Sequence, residues 1–199
     1  IDKTNIFLNR WDTNEINSIN ADNKNVLNEI YILINVEKED ILKKIYFLNN
    51  SEDYLKELNQ SDTELYINKR KIKFEKYFVP KKEGEYDINL KFNIYLTDCS
   101  FMFEECKNII YIDFISLNTY YITNMSGMFN GCVNLKNIKL NSFDTKYITN
   151  MSGMFNGCKS LSNLNLTSFN TSSTIDMGGM FNNCNNLKSL DLSSFNTYY

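Results

Sequence analysis

The run Asn124-Met-Ser-Gly-Met-Phe-Asn-Gly-Cys132 decides how this chain is read. Met125, Met128, Phe129 and Cys132 fall at i, i+3, i+4 and i+7, the spacing that gathers apolar side chains on one face of a short helix. Asn124 stands just before that face, where a side-chain oxygen caps free N–H groups. Gly131 stands where such a helix ends, a place for residues that tolerate the left-handed conformation. The run recurs with a period of 26 residues: Met102-Phe103, Met128-Phe129, Met154-Phe155 and Met180-Phe181. Cys106, Cys132, Cys158 and Cys184, four of the five cysteines, keep the same beat. A period held without insertion predicts about four stacked units, each touching only its neighbours.

The rest of each unit follows the beat. The cap position holds Asp98, Asn124, Asn150 and Asp176, and Gly157 and Asn183 repeat the terminating residue, with Glu105 atypical in the first unit. Leu135, Ile138 and Leu140 recur as Ile109/Ile112/Phe114, Leu161/Leu164/Leu166 and Leu187/Leu190/Leu192. Alternation at the end of each triplet predicts short strands near 111–114, 137–140, 163–166 and 189–192, stacked in parallel. Leu117, Phe143, Phe169 and Phe195 form a further apolar column, followed two residues later by Thr119, Thr145, Thr171 and Thr197.

The stretch from Ile122 to Thr145 resembles the BspA-type leucine-rich repeat, and the resemblance covers residues 94–199. That repeat occurs in bacterial surface lipoproteins and in protist proteins. The resemblance implies an α/β repeat solenoid, a leucine-rich-repeat horseshoe fragment of parallel strands plus short helices. It implies adhesion or protein–protein binding at a cell surface or in secreted form, and no catalytic residues. The first unit departs from the pattern, with Cys99 at the Met125 position and Phe101 at the Gly127 position, as at a boundary with another domain.

Residues 24–93 lack the period. Glu29–Val36, Ile45–Leu48, Thr63–Ile67, Lys71–Phe78 and Glu85–Phe92 read as strands, with Asn68-Lys-Arg70 as a hairpin turn and Ser51–Leu58 as a short capped helix. The expectation is a small β-rich domain capping the solenoid. Residues 1–23, with the single tryptophan at Trp11, read as an arm or the end of an upstream segment. The array is expected to continue or to dock at its C-terminal end.

Composition narrows the function. The net charge is −3 and the lysine clusters at Lys69–Lys73 and Lys81–Lys82 are short, which argues against a nucleic-acid surface. There is no apolar run long enough for a membrane-spanning helix. Histidine is absent, which removes the commonest general base and metal ligand. The Cys and Met columns could suit a soft metal, but their setting among Phe residues reads as core, with reduced, buried thiols. The expectation is therefore no enzyme, no cofactor and no metal. Two function classes stand: a module that binds another protein or a glycan, and an assembly subunit using the array as a rigid strut.

Side-chain alternation predicts which residues face outward from the strands. They are Tyr111, Asp113 and Ile115 in the first unit, Asn137, Lys139 and Asn141 in the second, Asn163, Asn165 and Thr167 in the third, and Ser189, Asp191 and Ser193 in the fourth. Tyr111 beside Ile115 is the preferred anchor, with Asp113 and Lys139 around it; alternatively, the N-terminal domain packs over Tyr111 and Ile115. A second candidate is a tyrosine edge of Tyr120, Tyr121 and Tyr147, with Tyr198-Tyr199, interrupted by Ser172-Ser173.

Overall fold

A computed structural model describes residues 27–196. The readings placed on residues 1–23, on Thr197 and on Tyr198-Tyr199 lie outside them. β1 is Asn28–Val36, β2 Ile45–Tyr46, β3 Thr63–Ile67, β4 Arg70–Ile72, β5 Tyr77–Phe78, β6 Gly84–Phe92, β7 Ile109–Ser116 and β8 Asn137–Lys139. Six of them form one mixed sheet in the order β4-β3-β6-β1-β7-β8, and β2 and β5 form a separate pair. All neighbours in the large sheet are antiparallel except β7 and β8, which are parallel.

Local chemistry explains the strands. β1 alternates buried and half-buried positions along its length, with Ile30, Ile32, Ile34 and Val36 inward. β6 answers with Ile88, Leu90 and Phe92. Asn68 and Lys69, both at positive φ, make the tight turn between β3 and β4, as the hairpin reading expects. Buried Asn28 ties three segments together: its amide donates to the carbonyls of Phe92 and Ile94, and its oxygen accepts from the N–H of Asn118. The core is one continuous apolar cluster running from Ile30 through the Met, Phe and Cys columns to Met180.

The expected α/β leucine-rich-repeat solenoid with short helices is overturned. The fold is mostly sheet and nearly free of helix: the described residues contain a single 3-10 turn, Lys38–Asp40. Ser51–Leu58 is a series of turns, not a helix. Met125–Cys132 is also a series of turns, for a reason visible in its backbone. Gly127 and Gly131 have φ of +58° and +73°, and no α-helix continues through such residues. Even-numbered N–H groups close local turns, Met128 to Met125, Asn130 to Gly127 and Cys132 to Phe129. Odd-numbered ones leave the segment. Met125, Gly127, Phe129 and Gly131 donate to the carbonyls of Asn150, Ser152, Met154 and Asn156 in the next unit, at 2.8–2.9 Å. The same four-rung pattern joins Cys99–Glu105 to the second unit and Met151–Gly157 to the fourth. The i, i+3, i+4, i+7 pattern does place Met125, Met128, Phe129 and Cys132 in the core, but successive turns achieve it, with alternate amides pairing between units.

The expected strands near 163–166 and 189–192 are irregular segments. Asn165 and Asp191 accept the N–H of Thr167 and Ser193 two residues on, and such local bonds compete with a ladder. The cap residues act likewise. Asp98, Asn124, Asn150 and Asp176 each accept the N–H two residues ahead, and single parallel bridges link them in series.

The units stack face to face. Phe103, Phe129, Phe155 and Phe181 form a column of nearly parallel rings with centroids 5.3–5.9 Å apart. Phe143, Phe169 and Phe195 form a second. Gly127 and Gly131 permit the close approach: a Cβ there would lie 2.4 Å from the Phe101 ring and 2.2 Å from the Glu105 carboxylate.

Candidate functional site

The sheet has one face on the core and one open. Pairing registers place Tyr66, Asn89, Tyr31, Asp113 and Lys139 in a single row across β3, β6, β1, β7 and β8. A parallel row runs Asp87, Leu33, Tyr111 and Asn137. The N-terminal strands therefore extend the open face beyond the repeat units. They do not pack over Tyr111 and Ile115: β1 lies edge to edge with β7, and Ile115 remains 54% exposed.

Tyr111, Asp113 and Lys139 come together on this face, whereas Ile115 stands at an irregularity of the pairing, between Phe114 opposite Ile30 and Ser116 opposite Glu29. Lys139 Nζ is 2.9 Å from the Asp113 carboxylate and 5.8 Å from the Tyr111 ring centroid. Tyr111 donates its hydroxyl to the same carboxylate at 3.0 Å. The bond that Lys139 donates to the Asp113 carboxylate, helped by the neighbouring Tyr111 hydroxyl, pushes its ammonium above its ordinary range. Beside Tyr111 lies Tyr31, rings edge to face at 6.1 Å. Tyr31 donates to Asp87; burial, reinforced by this bond to a carboxylate, pushes its hydroxyl up to about 12.

Two shallow grooves flank this centre. One, of about 550 Å³, runs over Tyr111, Asn137, Lys139, Asn163, Asn165 and Asp191. The other, of about 590 Å³, lies over Tyr31, Tyr66, Lys69, Asp87, Asn89 and Lys91. Sequence reasoning missed the second, although β1 and β6 were both read as strands. Its outward residues follow from the same alternation once β1 is known to sit between β6 and β7.

Tyr120, Tyr121 and Tyr147 form a separate aromatic cluster, with Tyr95 as an unforeseen fourth member. Tyr95 packs on Tyr121 at 4.8 Å, Tyr121 on Tyr120 at 5.1 Å and Tyr120 on Tyr147 at 5.4 Å. Lys146 lies over the Tyr147 ring. Among the described residues no ring contact joins this cluster to Tyr111.

The cysteines are free thiols. Cys132, Cys158 and Cys184 each donate to the carbonyl of Phe103, Phe129 and Phe155 in the preceding unit, at 3.0–3.2 Å. Burial pushes all of their ionisations upward. Cys184 departs from the expectation of full burial and is half-exposed. Among the described residues no group of three or more acidic, Cys or His side chains is placed to hold a metal ion, and no helix is long and apolar enough to cross a membrane.

A family model described as "Mycoplasma protein of unknown function, DUF285" matches residues 97–199, the stacked units. Comparison with curated proteins and with solved structures returned no match.

Proposed function

The chain belongs to the DUF285 family, and from that premise we propose that it is a non-catalytic module that binds another protein through the open face of its mixed sheet. The observation that carries this reading is the paired tyrosines Tyr31 and Tyr111, set between two grooves on the open face. Tyrosine offers large contact area at low entropic cost. Lys139 and Asp113 already satisfy each other, so a partner meets a pre-formed polar rim around the rings. Mixed charges on the face, with Asp87, Lys91, Asp113 and Lys139, suit a protein surface better than a polyanion.

The test is affinity capture from the source cells, with the bound protein identified and its binding then measured directly. Tyr111→Ala combined with Lys139→Glu is expected to weaken binding at least about tenfold, the scale of one hot-spot residue. Asn130→Ala and Asn156→Ala, on the turn side of the units, are expected to leave it unchanged. The reverse ranking, with circular dichroism showing all variants folded, would overturn the assignment.

A further inference from the structure

The large sheet ends in an open edge at β4. This strand is last in the sheet order, and among the described residues no strand pairs with its outer side. The tight turn at Asn68-Lys69 closes on Ile67 and Arg70, so Ile67–Arg70 and Leu65–Ile72 are the hydrogen-bonded pairs of the hairpin. Lys71 lies between them, opposite Tyr66, and turns its N–H and C=O away from β3. Among the described residues neither group has a partner.

The charge along this edge is one-sided. Lys69, Arg70, Lys71 and Lys73 are four of the five residues from 69 to 73, and all are exposed. Lys71 pairs with Glu64, and Lys73 Nζ stands 3.8 Å from Glu75. Lys69 and Arg70 have no ion-pair partner among the described residues. Cross-strand pairing sets the faces. Lys71 stands with Tyr66 on the open face, its ammonium 5.9 Å from that ring, whereas Ile72 stands with buried Leu65 and packs against the core.

We propose that β4 takes an extended acidic segment of another protein as an added strand. The backbone of Lys71 supplies one donor and one acceptor, and the side chains around it select the occupant. Carboxylates opposite Arg70, Lys71 and Lys73, with an apolar residue opposite Ile72, answer the edge in register. The planar fork of Arg70 suits a carboxylate bidentately. Lysines on an edge ordinarily discourage strand pairing, and they do so by charge. A second copy of β4 would bring Arg70, Lys71 and Lys73 against their like, whereas an acidic strand converts the same barrier into attraction. A phosphate polymer would answer the charges and leave the C=O of Lys71 unpaired. The proposal extends the protein-binding reading to a second surface, and the two fail separately: the open-face partner depends on Tyr111 and Lys139, on β7 and β8 toward the opposite end of the sheet.

The experiment titrates the isotope-labelled full chain with the end-blocked peptide Thr-Glu-Val-Glu-Glu-Thr, which sets Val opposite Ile72 in an antiparallel pairing, and reads backbone amides by NMR. At saturating peptide the Lys71 amide is expected to exchange at least about tenfold more slowly, as amides entering a hydrogen-bonded ladder do. N-methylation of the Glu opposite Lys71 keeps every charge and removes the donor, and is expected to abolish the slowing and weaken binding. Arg70→Glu combined with Lys73→Glu, checked by circular dichroism to be folded, is expected to weaken the acidic peptide at least about tenfold and to favour a peptide with Lys in place of each Glu. Equal binding of the N-methylated peptide would mean that charge alone is read and would overturn the proposal. So would unchanged exchange at Lys71 or indifference to the charge reversal. Slowing at Lys71 without peptide, growing with chain concentration, would assign the edge to a second copy.

Discussion

The Phe155 ring lies between those of Phe129 and Phe181 and is fully buried, whereas Asn150 contributes one acceptor to a turn. Removing the ring leaves a cavity, and Phe155→Ala is expected to cost about 3–5 kcal/mol. Asn150→Ala is expected to cost about 1 kcal/mol, the worth of a lost local hydrogen bond. Urea titration of both variants checks the ranking. The glycines separate strain from crowding. Gly127 and Gly153 share a φ near +60°, but a Cβ at Gly127 meets the Phe101 ring while one at Gly153 meets only the Asn156 Cβ at 3.8 Å. Both Ala variants are expected to lose about 1–2 kcal/mol to the left-handed backbone. Gly127→Ala is expected to lose more, and equal losses in denaturant titration would show that Phe101 moves aside freely. The inward Met, Phe and Cys positions were legible in the sequence, because apolar spacing reports burial whatever the backbone does. The conformation was not, because Phe101 stands where Gly127, Gly153 and Gly179 stand, and all four have positive φ. That column was the available signal: three glycines in the middle of a supposed helix argue against it.

Among elements, β1 holds the molecule together, because it pairs with β6 on one side and β7 on the other. Asn28 at its start satisfies one donor and two acceptors from other segments. Asn28→Ala is expected to cost about 1–3 kcal/mol by leaving those groups buried and unpaired. A thermal melt unchanged from the parent would show that Asn28 does not clamp the junction. β1, β3 and β6 were readable from alternation, and so was the hairpin turn at Asn68-Lys69. Their pairing with the first repeat unit was not, since strand order is a long-range property that a local pattern does not encode. The units at 163–166 and 189–192 were misread for the opposite reason. Their apolar alternation is present, yet Asn165 and Asp191 draw backbone N–H groups into local turns.

Across the whole molecule, the thiol column links stability to pH. Burial pushes the Cys99, Cys106, Cys132 and Cys158 thiols above their ordinary value of 9.0. The unfolded chain sheds these protons as pH passes about 9.0 and the folded chain keeps them, so fewer protons bind the unfolded state there. Stability is therefore present in full below that pH and falls above it. Denaturant midpoints at pH 7 and pH 10 are expected to show the drop, which a variant with Cys132 and Cys158 replaced by Ala would reduce. Alkylation at pH 8 is expected to reach half-exposed Cys184 first and the buried four only on unfolding. The outward placement of Tyr111, Asp113 and Lys139 was legible because alternation dictates it, whereas the irregular pairing at Ile115 and the extension of the face through Tyr31 and Tyr66 awaited the sheet order. All of this rests on units joined by alternate backbone amides in place of helices. NMR couplings measured directly through hydrogen bonds test that claim most closely. The account predicts couplings from the Gly127 and Phe129 nitrogens to the Ser152 and Met154 carbonyl carbons in the next unit. Couplings from Phe129 to Met125 and from Cys132 to Met128, the i to i−4 pattern of a helix, would contradict it.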